Sequence, residues 1–176
     1  MMNTVILMWD PSISSVNMEG HEKGMKNCIE EYFNWSVWDW EYAKAWDRFY
    51  LVRVGEGNTG IVMKGVLSSE PFSAKDWSGK NRRVYYMDME PDVILHPDKA
   101  PILTTKFLEE HLPGFIWSEG HSGQILEPKL ADMLEEIWHD YIDQNEDMFQ
   151  DPEVAVRPRR GKAFLNLLKQ PRSPKR

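Results

Sequence analysis

An unbroken apolar run, Thr4-Val5-Ile6-Leu7-Met8-Trp9, stops at Asp10-Pro11 and predicts a buried strand. Over residues 17–33, Met18, Met25, Ile29, Tyr32 and Phe33 recur at helical spacing, with Gly20 and Gly24 weakening the helix. Residues 34–46 are aromatic and polar together and read as a loop or short helix. The strongest pattern follows: strand 48–54, the turn cluster Gly55-Glu56-Gly57-Asn58-Thr59-Gly60, then strand 61–67, a β-hairpin. Pro71 breaks the chain, and 73–82 reads as a polar loop around Trp77. Strand 84–89 is expected to end at Pro91, with a short strand at 93–95.

A short helix over 106–112 has Thr104-Thr105 as cap candidates and Pro113-Gly114 as its stop. Residues 115–127 read as a loop or short strand. Leu130, Met133, Leu134, Ile137, Trp138, Tyr141 and Ile142 keep the spacing of an amphipathic helix after Pro128. Glu135, Glu136 and Asp140 lie off that stripe and read as its solvated face. Helices before and after a run of strands, without regular βαβ alternation, predict an α+β fold. Its expected form is a mixed or mostly antiparallel sheet curled into a small β-barrel with flanking helices.

Composition changes the picture in two places. An apolar share of 41% is enough for a sizeable core and excludes wholesale disorder. No transmembrane run or signal-peptide pattern is present, and the lone Cys28 allows no intrachain disulfide, so a cytoplasmic protein is expected. The net charge of −7 hides a split: residues 157–176 hold eight basic side chains and no acid. Residues 1–156 then carry 13 basic against 28 acidic side chains, which excludes a broad basic face for duplex DNA. The expected organisation is a domain over 1–145, then an acidic linker and a basic, flexible tail over 146–176.

Several motifs carry less than they promise. Gly55-x-Gly57-x-x-Gly60 is followed by a strand, so no helix N-terminus can meet a phosphate, and a hairpin turn is the better reading. The five histidines show no metal-ligand spacing, and Cys28 reads as a core residue. No matched nucleophile, base and orienter appears, so neither a catalytic residue nor a cofactor is expected. What stands out is tryptophan: Trp35, Trp38, Trp40 and Trp46 fall within twelve residues, among Asn34, Ser36 and Asp39. Trp117 follows beside Ser118, His121, Ser122 and Gly123. Two readings stay open: a Trp-rich core with polar residues outside it, or a half-wet concave site for a planar ligand such as a nucleobase.

The order of these signals resembles a known family. The residues that carry it are Trp9-Asp10-Pro11, the Trp-rich segment, and Trp46-Asp47-Arg48-Phe49-Tyr50-Leu51-Val52-Arg53. To these add Gly60 to Val66 leading to Ser69-Glu70-Pro71-Phe72, then Tyr85 to Met89, and Trp117 with Ser122-Gly123-x-Ile125. Over roughly residues 4–142 the chain is similar to the EVE-like branch of the PUA superfamily. It looks closest to the EVE-like domain ahead of HNH modules in modification-dependent restriction proteins. The resemblance implies a β-barrel with a pocket for a modified base in DNA or RNA. By position it implicates Trp9, Asp10, Trp35, Ser36, Trp38, Trp117, Ser118 and Ser122 as ligand-binding. Arg157, Arg159, Arg160 and Lys162 are the expected phosphate contacts.

Two departures matter. The Gly-Asp that introduces the hairpin strand in EVE-like domains is Trp46-Asp47 here, and no nuclease module follows. The expectation is a standalone, non-catalytic reader whose partner is nucleic acid carrying a modified base, or a subunit acting with a separate effector protein. The alternative is a protein–protein interaction module using the acidic body and basic tail.

Overall fold

Strand β1 (Thr4–Trp9) is buried along its whole length because both its faces are covered. Ile6 points to one hydrophobic cluster, while Val5, Leu7 and Trp9 point to another. The structure, a computed structural model, describes residues 1–26 and 34–158. After β1 come helix α1 (Met18–Lys26) and strand β2 (Asn34–Ser36). Strands β3 (Arg48–Arg53), β4 (Gly60–Leu67), β5 (Phe72–Lys75) and β6 (Arg83–Leu95) follow. Helix α2 (Thr105–His111), strand β7 (Gln124–Ile125), helix α3 (Pro128–Gln144) and strand β8 (Ala155–Val156) complete the fold. The second half of the helix expected over 17–33, with Cys28, lies outside the described residues.

The main path of the sheet runs β2-β6-β4-β3-β1-β7, with β5 and β8 also paired to β6. Only β1 and β3 are parallel; the other described pairs are antiparallel, so the sheet is mixed. It curls into a half-barrel. One cluster, with Phe49, Leu51, Val62, Leu67, Met87 and Trp35, fills the inside with α1 against it. The other joins Tyr50, Val52, Ile61 and Leu95 to Leu108, Trp117, Leu134 and Trp138, so α2 and α3 cover the opposite face. The closed barrel expected from the sequence is not completed. Between β2 and β7 there is no strand ladder.

Strand β6 runs straight through Pro91, where the sequence suggested two strands. A bulge makes this possible: Gly65 faces Pro91 while Lys64 faces Val93, leaving Asp92 as the extra residue. A Cβ on Gly65 would lie 2.1 Å from the Glu90 carbonyl oxygen, so the pairing needs a glycine there. The expected hairpin is present between β3 and β4. Its glycine-rich turn is gripped by the buried Arg53, whose guanidinium donates to the carbonyls of Glu56 (3.1 Å) and Asn58 (3.3 Å). Arg53 also pairs with Asp98 at 3.3 Å.

Two expectations about polar segments change. Glu135 is not on a solvated face: it accepts from the Tyr50 hydroxyl at 2.6 Å and pairs with Lys64 (3.3 Å) and Arg48 (3.4 Å). It ties α3 to the sheet. Residues 146–156, expected to be linker, form a 3-10 helix (Glu146–Gln150) that buries Met148, then β8, which pairs with β6. Residues 146–156 are therefore packed on the domain rather than trailing from it. Among the described residues no helix is long and apolar enough to cross a membrane.

Trp46 is the one described non-glycine residue with positive φ, at 74°. The buried Asp47 carboxylate fixes this turn by accepting from the backbone N–H groups of Asn3 (2.9 Å) and Lys44 (2.8 Å). The left-handed conformation is the one that a glycine adopts without strain, and the Trp46 ring is 56% exposed. Trp46→Gly is expected to raise stability by about 1 kcal/mol, read by urea denaturation; a loss of stability would show that the ring supports the fold.

His21 is buried against the sheet. Its ring stacks on Trp9 (centroids 4.8 Å apart), and Nε2–H donates to the Leu95 carbonyl at 2.8 Å. Burial pulls its pKa from 6.5 down to about 4, against the opposing pull of the Leu95 hydrogen bond. The unfolded chain takes up this proton near 6.5 and the folded chain only near 4. The stability His21 contributes is complete above pH 6.5 and is lost as pH falls toward 4, by about 3 kcal/mol. Imidazole NMR should show His21 neutral at pH 5.5; a protonated ring at that pH would contradict this burial.

Candidate functional site

The two ends of the curled sheet meet at a seam. Here residues 37–39 leave β2 and run between β6 and the loop before β7. Val37 donates its N–H to the Tyr85 carbonyl on one side. On the other, Trp38 and Asp39 donate to the carbonyls of Ser122 and Gly123; all three bonds are 2.9 Å. Three backbone bonds hold the seam without closing a ladder. Gly123, at φ 94°, allows it: a Cβ there would meet Val37 Cα at 2.4 Å and Trp38 N at 2.6 Å.

A cleft of about 610 Å³ opens along this seam. That volume suits a drug-sized or nucleoside-sized ligand. Two stacked aromatic pairs wall it. Trp38 lies on His121 with ring centroids 3.7 Å apart and planes 3° from parallel. Trp40 lies on Tyr85 at 3.7 Å and 10°. The pairs restrain each other's rings before any ligand arrives. Ser36 and Ser122 also line the cleft, and both are nearly buried. The Ser122 hydroxyl accepts from the Met8 N–H at 2.9 Å, leaving its own proton to donate. Asp39 accepts from the Ile125 N–H at 2.8 Å through one carboxylate oxygen.

The third wall comes from the turn between β5 and β6, with Trp77, Arg82 and Arg83. Asp76 organises this turn from a buried position. Its carboxylate accepts from the Ser78 N–H and hydroxyl (both 2.9 Å) and from Arg82 Nε at 2.5 Å. Burial pushes the Asp76 carboxyl up, but these hydrogen bonds outweigh it and hold it below the ordinary carboxylate value. The buried Tyr86 donates its hydroxyl to the Lys75 carbonyl (2.8 Å) and accepts from the Trp77 N–H (2.9 Å). Sequence reasoning took 73–82 for a plain polar loop. The signal for its role was Trp77 beside an Arg pair, and only β5–β6 pairing brings those residues to the cleft.

The sequence-derived residues divide. Trp38, Ser36 and Ser122 line the cleft. Trp9, Trp35 and Trp117 do not: they lie in the core, each with its indole N–H already satisfied. Trp9 donates to the Val16 carbonyl (2.7 Å), Trp35 to that of Met8 (3.1 Å) and Trp117 to that of Leu112 (3.1 Å). Asp10 turns away, capping its own loop through Ser12 N–H (3.0 Å) and Ser12 Oγ (2.7 Å). Ser118 is exposed outside the cleft. Arg157 pairs with Glu146 at 2.9 Å and lies 3.7 Å from the Phe149 ring centre. Arg159, Arg160 and Lys162 lie outside the described residues.

No protein-family model matches the chain, and no curated protein matches it in sequence. Solved structures do match in fold. The chain is similar to a hypothetical protein from Leishmania major, with a TM-score of 0.54 and 10% identity, over 80% of this chain and 97% of that one. It is also similar to the YTH domain-containing protein mmi1 in its complex with RNA. There the TM-score is 0.50 and the identity 11%, over 83% of this chain and 87% of that one. The likeness is one of fold: a curled mixed sheet with flanking helices.

Gly123→Ala is expected to cost about 2–3 kcal/mol, because the methyl group strains the backbone and forces residues 37–38 off the seam. Urea denaturation measures it. A loss under about 0.5 kcal/mol would mean that the close approach is not a constraint.

Proposed function

We propose that this chain is a non-catalytic reader that takes one modified base of a nucleic acid into the seam cleft. The carrying observation is the cleft itself, with two prestacked aromatic pairs and buried serine hydroxyls in one concave space. A base is flat and hydrogen-bonding at its edge, which is what such walls accept. Trp38 and Trp40 offer stacking faces. Ser36, Ser122 and the second carboxylate oxygen of Asp39 read the edge. The fold likeness to a YTH domain solved with RNA supports this reading, as does the resemblance to EVE-like domains. An effector protein supplies whatever follows recognition.

Arg157 favours a second reading for the basic tail. Its pairing with Glu146 and Phe149 puts the first tail cation on the acidic body rather than beside the cleft, as a protein-interaction surface would require.

The test is a titration with single-stranded and duplex oligonucleotides carrying 5-methylcytosine, 5-hydroxymethylcytosine or N6-methyladenine, with unmodified controls. One modified strand is expected to bind preferentially. Trp38→Ala and Trp40→Ala are each expected to weaken it about 10- to 100-fold, the loss of one stacking contact. Equal, strongly salt-dependent binding to every strand, unmoved by either substitution, would sink the reading.

A further inference from the structure

We infer that Arg82 and Arg83 form a preset clamp for the phosphate of the nucleotide whose base enters the cleft. This rests on the reading of the cleft as a base site and adds where the backbone of the ligand lies. Both arginines line the cleft. Each is already oriented by the protein. Arg82 is fixed through Nε alone, by the buried Asp76 carboxylate, so its terminal nitrogens stay available while the side chain is 62% exposed. Arg83 is fixed through Nε to the Ser73 hydroxyl (2.6 Å) and through Nη2 to the Ser73 carbonyl (2.8 Å), leaving Nη1.

An arginine held this way loses little freedom on binding, and its planar fork matches phosphate oxygens. The rest of the cleft gives the ligand a direction. Asp39 and Glu41 are its acidic lining groups and Arg82 and Arg83 its arginines. A nucleotide is polar in the same sense, with donors on the base edge and negative charge on the phosphate. The base edge then turns to Ser36 and Asp39, and the phosphate to the arginines. In a body with 13 basic against 28 acidic side chains over residues 1–156, two fixed cations at one cleft also offset a repulsive field.

The experiment uses the best-binding base of the oligonucleotide panel in three forms: free nucleoside, nucleoside 5′-monophosphate and short single strand. The wild-type protein is expected to bind the monophosphate about tenfold tighter than the nucleoside. Arg82→Gln/Arg83→Gln should bind both alike, with nucleoside affinity kept. Its salt slope for the single strand should fall by about 0.7, the share of one neutralised phosphate. Asp76→Asn, which keeps both arginines but loosens Arg82, should lose part of the monophosphate preference. Circular dichroism checks that each variant is folded, and Arg83→Gln alone serves if the double variant is not. Nucleoside binding with no phosphate preference, or a preference that survives the double substitution, overturns the clamp and leaves the base cleft standing. Failure of every form to bind overturns both.

Discussion

The structure depends on the unfinished closure of its sheet. Five pairings build a continuous curved surface from β2 to β7. The last gap is crossed by an extended segment, residues 37–39, that bonds to β6 on one edge and to Ser122 and Gly123 on the other. A full ladder there would fill the space with strand. Three backbone bonds hold the ends at fixed spacing and leave a cleft about 610 Å³ in volume between them. Gly123 is the residue whose lack of a side chain permits that spacing. Two of the three cleft walls are referred to this seam: Trp38 and Asp39 lie on it, His121 and Ser122 precede Gly123, and Tyr85 accepts from Val37.

Around this seam the tryptophans sort by what satisfies their indole N–H. Trp9, Trp35 and Trp117 each reach a backbone carbonyl from within the core and stiffen it. Trp38 and Trp40 are instead stacked on cleft residues, one on His121 and the other on Tyr85. The core reading therefore holds for Trp9, Trp35 and Trp117, while Trp38 and Trp40 line the cleft proposed as the ligand site. The spacing Trp35-x-x-Trp38-x-Trp40 places the first ring inside the half-barrel and the next two on the cleft, because the chain leaves β2 after Ser36.

Much of the fold was legible. The apolar run of β1, the hairpin of β3 and β4, and the stripe of α3 each carry a strong local period, and each forms where expected. The mixed, curled sheet with flanking helices follows from their order. What was not legible depends on distant partners. Pro91 stops a strand in isolation, yet β6 continues because Gly65 lies opposite and a bulge absorbs the mismatch. Glu135 looks solvated until Tyr50, Lys64 and Arg48 arrive from the sheet. The third cleft wall was missed because Asp76, Arg82 and Trp77 form a site only once β5 pairs with β6. Trp46 adopts a φ of 74°, the left-handed conformation that a glycine takes without strain, and nothing in the local sequence pattern announces it.

The central claim is that a base enters at the seam and not among the buried tryptophans. Indole N–H resonances of the eight tryptophans, followed by NMR while a binding oligonucleotide is added, test it most directly. The account expects Trp38, Trp40 and Trp77 to shift in step with binding, and Trp9, Trp35, Trp117 and Trp138 to stay nearly fixed. Shifts confined to the buried set, with Trp38 and Trp40 unmoved, would contradict it.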